Sequence, residues 1–177
     1  MKRIFLMMSA LFLVASCGNG TETPVDDAST TSESEEINLE EEVVAEADTS
    51  EPIEVEMLVF TKGETMTEMA YEPARLEVPA GSLVTITLEN KATSEAMIHN
   101  IVFIKRGKQE EVCTAGLEAG PEKEYIPENE NIIAATSLAG PGETVEVEFT
   151  APKEKGTYQY VCTYPGHTAM KGILLVK

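Results

Sequence analysis

"YQYVCTYPGHTAMKGILLVK", Tyr158 to Lys177, reads as a strand, a turn and a second strand. Both ends are rich in aromatic and branched residues, and Pro165-Gly166 punctuates the middle. Cys162, His167 and Met170 fall within nine residues on that connection. They are either ligands converging on one metal, or a reduced thiol and two bystanders on a tight turn.

The strand period continues towards the N-terminus. "IEVEMLVF" (53–60), "RLEVPAGSLVTITLEN" (75–90), "HNIVFIK" (99–105) and "TVEVEFTAP" (144–152) all fit it, the second broken into two strands at "PAG". Turn signals such as "NKATSEA", "AGPGE" and "PKEKG" separate several of them. Six to eight short strands with Gly and Pro punctuation predict an all-β antiparallel sandwich or barrel. "KQEEVCTAGLEAGPEKEYIPENEN" (108–131) lacks β-branched runs and is expected to hold a short helix or a flap.

The first 52 of the 177 residues have a different character. Lys2 and Arg3 precede the apolar run "IFLMMSALFLVAS", too short to span a bilayer comfortably, so residues 1–16 are expected to be a signal peptide. "LVASC" resembles a bacterial lipobox, with Cys17 as the acylated mature N-terminus; the alternative is an ordinary cleaved signal with Cys17 incidental. Residues 17–52 form the expected acidic tether. From Gly18 to Pro52 there is no Lys, Arg, aromatic residue or cysteine, so too few apolar groups are present to offset the entropy of ordering. As a coil this stretch would reach ~30–35 Å.

The chain carries a formal charge of −18, and residues 53–177 hold 19 acids against 11 bases. Nothing in that balance would neutralise phosphates, which argues against a nucleic-acid partner. It would also be repelled by anionic lipid, so membrane contact is expected through the acyl anchor only. Residues 53–177 have room for one core and one domain. They show no paired catalytic carboxylates, catalytic triad or phosphate-binding loop, so an enzyme is not expected.

The chain has two histidines, His99 and His167, and three cysteines, Cys17, Cys113 and Cys162. In an exported protein a leftover cysteine pair would ordinarily suggest a Cys113–Cys162 disulfide. The competing reading takes His99, Cys162, His167 and Met170 as one set. A thiolate and two imidazoles select copper or zinc, and a thioether shifts the preference to copper. His₂Cys with a weak axial Met is the donor set of an electron-transfer copper site. A rigid sandwich suits such a site because few atoms need move between Cu(I) and Cu(II).

At this point residues 53–177 resemble the azurins of the cupredoxin family. "HN" entering a strand, "CTYPGH" followed by "MKG", and the final "GILLVK" carry the resemblance. It implies a Greek-key β-sandwich with one type 1 copper per domain, carrying single electrons. It makes His99, Cys162 and His167 the copper ligands, and Met170 the axial one. It puts the carbonyl of Ile98 on the opposite axial side and makes Asn100 the residue that hydrogen-bonds near the thiolate. Met97 and "TYPGHTA" resemble an apolar patch around an exposed histidine. A redox donor and acceptor, such as a cytochrome or a copper-dependent reductase or oxidase, would dock there near His167.

Azurins usually place three residues between the loop histidine and the methionine; here Thr168 and Ala169 are two. The shortened loop leaves open whether Met170 approaches copper, tilts the site or merely packs. The N-terminal disulfide common in azurins has no cysteines here, and Cys113 is expected to be a shielded free thiol in the flap. The leading expectation is a lipid-anchored electron carrier of the bacterial cell envelope, periplasm-facing, with the outer membrane preferred. The alternatives are a copper carrier handing Cu(I) to another protein, and a metal-free binding sandwich closed by the Cys113–Cys162 disulfide.

Overall fold

The computed structural model describes residue 51 and residues 53–177. The expected signal peptide and acylated Cys17 lie outside the described residues, as does all of the tether except Glu51.

Strands β1 (Glu54–Lys62), β2 (Ala70–Glu72), β4 (Leu83–Glu89) and β7 (Thr144–Thr150) form one sheet in the order β2-β1-β4-β7. Strands β3 (Arg75–Val78), β5 (Val102–Ile104), β6 (Ile132–Ala135), β8 (Gly156–Val161) and β9 (Lys171–Val176) form the other, ordered β3-β9-β8-β5-β6. The chain changes sheet repeatedly, entering β3, β4, β5, β7 and β8 from the opposite layer, as a Greek-key sandwich requires. Because of those switches β1 pairs parallel with β4, and β3 parallel with β9, where a wholly antiparallel arrangement was expected. Strands β2 and β6 were not anticipated. "AYE" is too short to show a period, and "IIAA" directly follows the stretch expected to be a flap.

The core lies between the sheets. Along β4, Val84, Ile86 and Leu88 point inward and alternate with partly exposed residues. Val84 stands opposite Phe149 of β7, and Leu174 and Val176 of β9 close the other side. Gly172 faces Tyr160 in register, and a Cβ at Gly172 would stand 2.0 Å from the tyrosine Cζ. The absent side chain is what lets the Tyr160 ring lie flat in the core while its hydroxyl donates to the Pro73 carbonyl at 2.6 Å.

β5 is buried on both faces, which explains its unbroken apolar run. Phe103 turns inward against Phe149 and Tyr160, with ring centroids 4.8 and 5.6 Å away. Val102 and Ile104 turn outward and pack with Val161 under Val112 and Cys113 of helix α1 (Gln109–Ala119). The expected flap is therefore a helix that covers the outer face of the second sheet. Glu110 and Glu111 lie in its first turn, where the helix dipole favours acids. It ends at Gly120, whose φ of 73° suits glycine and whose N–H returns to the Gly116 carbonyl. Gly116 permits a close approach as well: a Cβ there would meet the Tyr125 carbonyl oxygen at 2.6 Å.

Candidate metal centre

The ligand candidates come from two segments at one end of the sandwich. Cys162 directly follows β8, and the loop to β9 is folded by two successive tight turns. His167 N–H donates to the Tyr164 carbonyl at 3.0 Å, and Met170 N–H to the His167 carbonyl at 2.9 Å. Gly166, with φ of 83°, supplies the left-handed residue of the first turn. The second turn needs only Thr168 and Ala169 between its ends, so the shortened loop still returns Met170 to the interior, 1% exposed, with its carbonyl accepting from Cys162 N–H at 3.2 Å.

The other segment runs into β5. His99 forms an isolated bridge with Ala139, its N–H donating at 3.0 Å and its carbonyl accepting at 2.7 Å. Asn90, at the end of β4, ties this region together. Its amide donates to the carbonyls of Met97 and Ala139 at 2.7 and 2.9 Å, and its Oδ1 accepts from Thr61 at 2.7 Å. Nothing in the sequence singled out Asn90, because its partners are remote and mostly main-chain.

His99, Cys162 and His167 converge. The two Nδ1 atoms are 3.2 Å apart, and each lies 3.9 Å from the Cys162 Sγ. Nitrogen and sulfur donors held about 2.0–2.3 Å from a common ion stand roughly 3.2–3.9 Å apart at tetrahedral to trigonal angles, so the spacing fits one ion. All three side chains are buried. A cation would satisfy the three facing lone-pair donors at once.

Burial pushes the His99 imidazole down to about 4, with His167 adding to the effect. It also lowers His167, against an interaction with the Ile98 carbonyl that raises it. The imidazoles are thus held neutral, the form a metal needs. Burial pushes the Cys162 thiol up to about 11, opposed by the N–H groups of Asn100 and Tyr164. A metal binding there has to displace that proton.

Asn100 links the two ligand segments. Its Oδ1 accepts from Thr163 N–H at 3.0 Å, and its Nδ2 donates to Thr163 Oγ1 at 2.9 Å. Ile98, the residue before His99, is half-buried. Met97 is only 3% exposed and does not belong to a surface patch; the Asn90 bond to its carbonyl draws it inward. His167 is likewise 2% exposed, so the outer surface of the loop is formed by Gly166, Thr168 and Ala169.

The disulfide reading fails. Cys113 and Cys162 are both free thiols, and the Cys113 Sγ instead lies 3.8 Å from the Cys162 carbonyl oxygen. Cys113 packs between α1 and the outer face of the second sheet, whereas Cys162 belongs to the core between the sheets. The sequence reading also missed Tyr71, whose hydroxyl donates to the Asn100 carbonyl.

Residues 56–177 match the profile described as copper binding proteins, plastocyanin/azurin family. The chain is 44% identical over 131 residues to auracyanin-A of Chloroflexus aurantiacus, covering 72% of this chain and 76% of that protein. It is 35% identical over 118 residues to an azurin of Pseudomonas fluorescens biotype C, covering 62% and 91% respectively. The solved structure of auracyanin A, described as a "blue" copper protein of Chloroflexus aurantiacus, superposes with a TM-score of 0.62 at 43% identity, over 70% of this chain and 99% of the other. A buried His-Cys-His cluster in a Greek-key sandwich, matched along essentially the whole domain by copper electron carriers, makes this chain a member of the plastocyanin/azurin family, an electron-transfer copper protein and not an enzyme.

Proposed function

We propose that this protein is a lipid-anchored one-electron carrier of a bacterial cell envelope, facing the periplasm and exchanging electrons with redox proteins that dock near His167. The observation that carries the reading is the convergence of His99, Cys162 and His167 at 3.2–3.9 Å in a buried setting. Copper bound there supplies one-electron exchange between Cu(I) and Cu(II). His99 and His167 present Nδ1 and Cys162 its sulfur. Met170, buried at the end of the same loop, would add its thioether to that donor set, and Ile98 would offer its carbonyl. Asn100 and Thr163 hold the two ligand segments in register, so that few atoms move when the charge changes.

Electrons pass at the loop surface. The Tyr164 ring lies 5.0 Å from that of His167, and Tyr125 meets Tyr164 edge-on at 5.4 Å. This aromatic path leads from the buried imidazole to partly exposed rings, beside Gly166, Thr168 and Ala169. A cytochrome or a copper-dependent reductase or oxidase would dock against it. The acyl group on Cys17 and the acidic stretch to residue 52 would let the domain swing between partners on one membrane, raising their effective concentration.

The test is a visible spectrum with EPR of residues 53–177 loaded with Cu(II). An intense thiolate-to-copper band with narrow hyperfine splitting is expected. A colourless protein with ordinary tetragonal copper signals would overturn the reading. For the anchor, cells fed a labelled fatty acid should label the full chain and not its Cys17→Ala variant; equal labelling would refute acylation at Cys17. Rapid loss of copper to a chelator would favour the alternative of a copper carrier.

A further inference from the structure

Glu124 and Tyr125 stand at φ of 51° and 58°, side by side in the left-handed region. Every other positive-φ position among the described residues is a glycine. A side chain in that conformation is strained, and it persists only where the surroundings hold it. Two in succession, where glycine would be free of strain, call for side chains that do something a hydrogen atom cannot.

The surroundings do hold this turn. Within it, Tyr125 N–H donates to the Gly120 carbonyl at 3.0 Å and Ile126 N–H to the Lys123 carbonyl at 2.8 Å. Towards α1, the Tyr125 carbonyl fills the notch left by Gly116, where a Cβ would stand 2.6 Å from it. Towards the ligand segments, the Asn100 amide donates to the Glu124 carbonyl at 3.4 Å. The Glu124 carboxylate accepts from Leu138 N–H at 3.3 Å, which gives one of the two side chains its task. The other side chain is the Tyr125 ring. It meets the Tyr164 ring at 5.4 Å and 80°, and Tyr164 in turn lies 5.0 Å from the His167 imidazole. Edge-to-face is an arrangement that aromatic quadrupoles favour.

We propose that the Glu124–Tyr125 turn is a strained clip that presses the Tyr125 ring against Tyr164, and that Tyr125 is the positioning residue that keeps Tyr164 seated beside His167 for electron exchange. The proposal rests on the reading of His99, Cys162 and His167 as a copper centre that exchanges electrons at this loop. Tyr164 is only half-buried, so its ring can leave the imidazole by changing rotamer. Tyr125 closes that way out, because its own ring is carried by a backbone that Gly116, Asn100 and Leu138 do not let relax. A ring held against the imidazole couples it to whatever docks outside. A ring that swings away leaves a gap, which an electron crosses slowly. The donor set is untouched by a change at the Tyr125 ring, so the rate of exchange should respond and the potential should not.

The experiment measures electron self-exchange, from NMR line broadening in mixtures of oxidised and reduced copper-loaded protein, together with the reduction potential. Wild type is compared with Tyr125→Asn, a residue that tolerates the left-handed conformation, and with Tyr125→Phe, which keeps the ring. Tyr125→Asn should slow exchange severalfold while the thiolate-to-copper band and the potential stay at their wild-type values. Tyr125→Phe should restore the wild-type rate. Exchange at the wild-type rate in Tyr125→Asn would overturn the proposal, as would a loss in Tyr125→Phe equal to that in Tyr125→Asn. A displaced potential in Tyr125→Asn would overturn it too, since the change would then act on the donors themselves. Should Tyr125→Asn fail to fold, Tyr125→Leu, which keeps apolar bulk without a ring, decides by the same criteria. A wild type without the thiolate-to-copper band would instead overturn the copper reading, so the two failures are distinguishable.

Discussion

At the scale of single residues, the site depends on side chains that are missing as much as on those present. Gly172 leaves the space that the Tyr160 ring fills, and a Cβ there would overlap the ring. Gly172→Ala is expected to cost about 1–3 kcal/mol through overpacking, and thermal unfolding of the metal-free domain measures it. A variant as stable as wild type would show that the ring relocates without cost. Met170 is the second informative position. It is buried at the close of the second turn, beside the Cys162 main chain. Met170→Leu conserves volume and should change stability by less than about 1.5 kcal/mol. The thiolate-to-copper band should nevertheless shift if the thioether is a donor, as proposed. An unmoved spectrum and potential would assign Met170 to packing alone.

At the scale of elements, helix α1 is the piece whose attachment depends on pH. The Glu111 carboxyl is held below its ordinary value, first by Lys108, 2.8 Å away, and then by Asn129. Its other oxygen accepts from the Asn131 amide at 2.7 Å, joining the helix to the turn before β6. A carboxylate whose folded value is depressed contributes stability above its unfolded value and loses it as the pH falls through the folded one. The protection of α1 amides against hydrogen exchange should therefore decline as acid drops below about pH 4.5, the ordinary carboxylate range. In Glu111→Gln the decline should be smaller, starting from a lower plateau at neutral pH. Identical profiles for both proteins would show that the Glu111 contacts do not couple the helix to the turn. The tight turns of the β8–β9 loop act at the same scale, because they return Met170 inward with one residue fewer than azurins usually use.

At the scale of the molecule, metal binding and folding draw on the same structure. His99 and His167 approach within 3.2 Å only because β5 and the β8–β9 loop are held together through Asn100 and Thr163. The unfolded chain presents no such cluster, so copper should bind the native state preferentially. Free copper at a thousandfold excess over its dissociation constant should add about 4 kcal/mol to unfolding, raise the melting temperature, and be reversed by a strong chelator. Equal melting temperatures with and without copper would mean that the cluster does not hold the ion in the folded state. The domain folds around its own core, so residues 53–177 and the full chain should show the same shift.

Much of this was legible in the sequence, for a physical reason. Alternating strands between Gly and Pro turns encode a sandwich locally, and "CTYPGHTAMKG" places a thiol, an imidazole and a thioether on one short loop. With only two histidines in the chain, His99 was the natural complement. What the sequence by itself determined was therefore the fold class and the set of candidate donors. The tertiary structure decided how those donors are held. Asn100 reaches Thr163 across 63 positions, and Tyr71 reaches the Asn100 carbonyl across 29; no local pattern records either contact. It also separated Cys113 from Cys162 by placing them on opposite faces of one sheet, and turned Met97 inward where a surface position was expected. Local pattern fixes which way a strand's side chains alternate, but what lies against each face depends on segments brought together only when the chain folds.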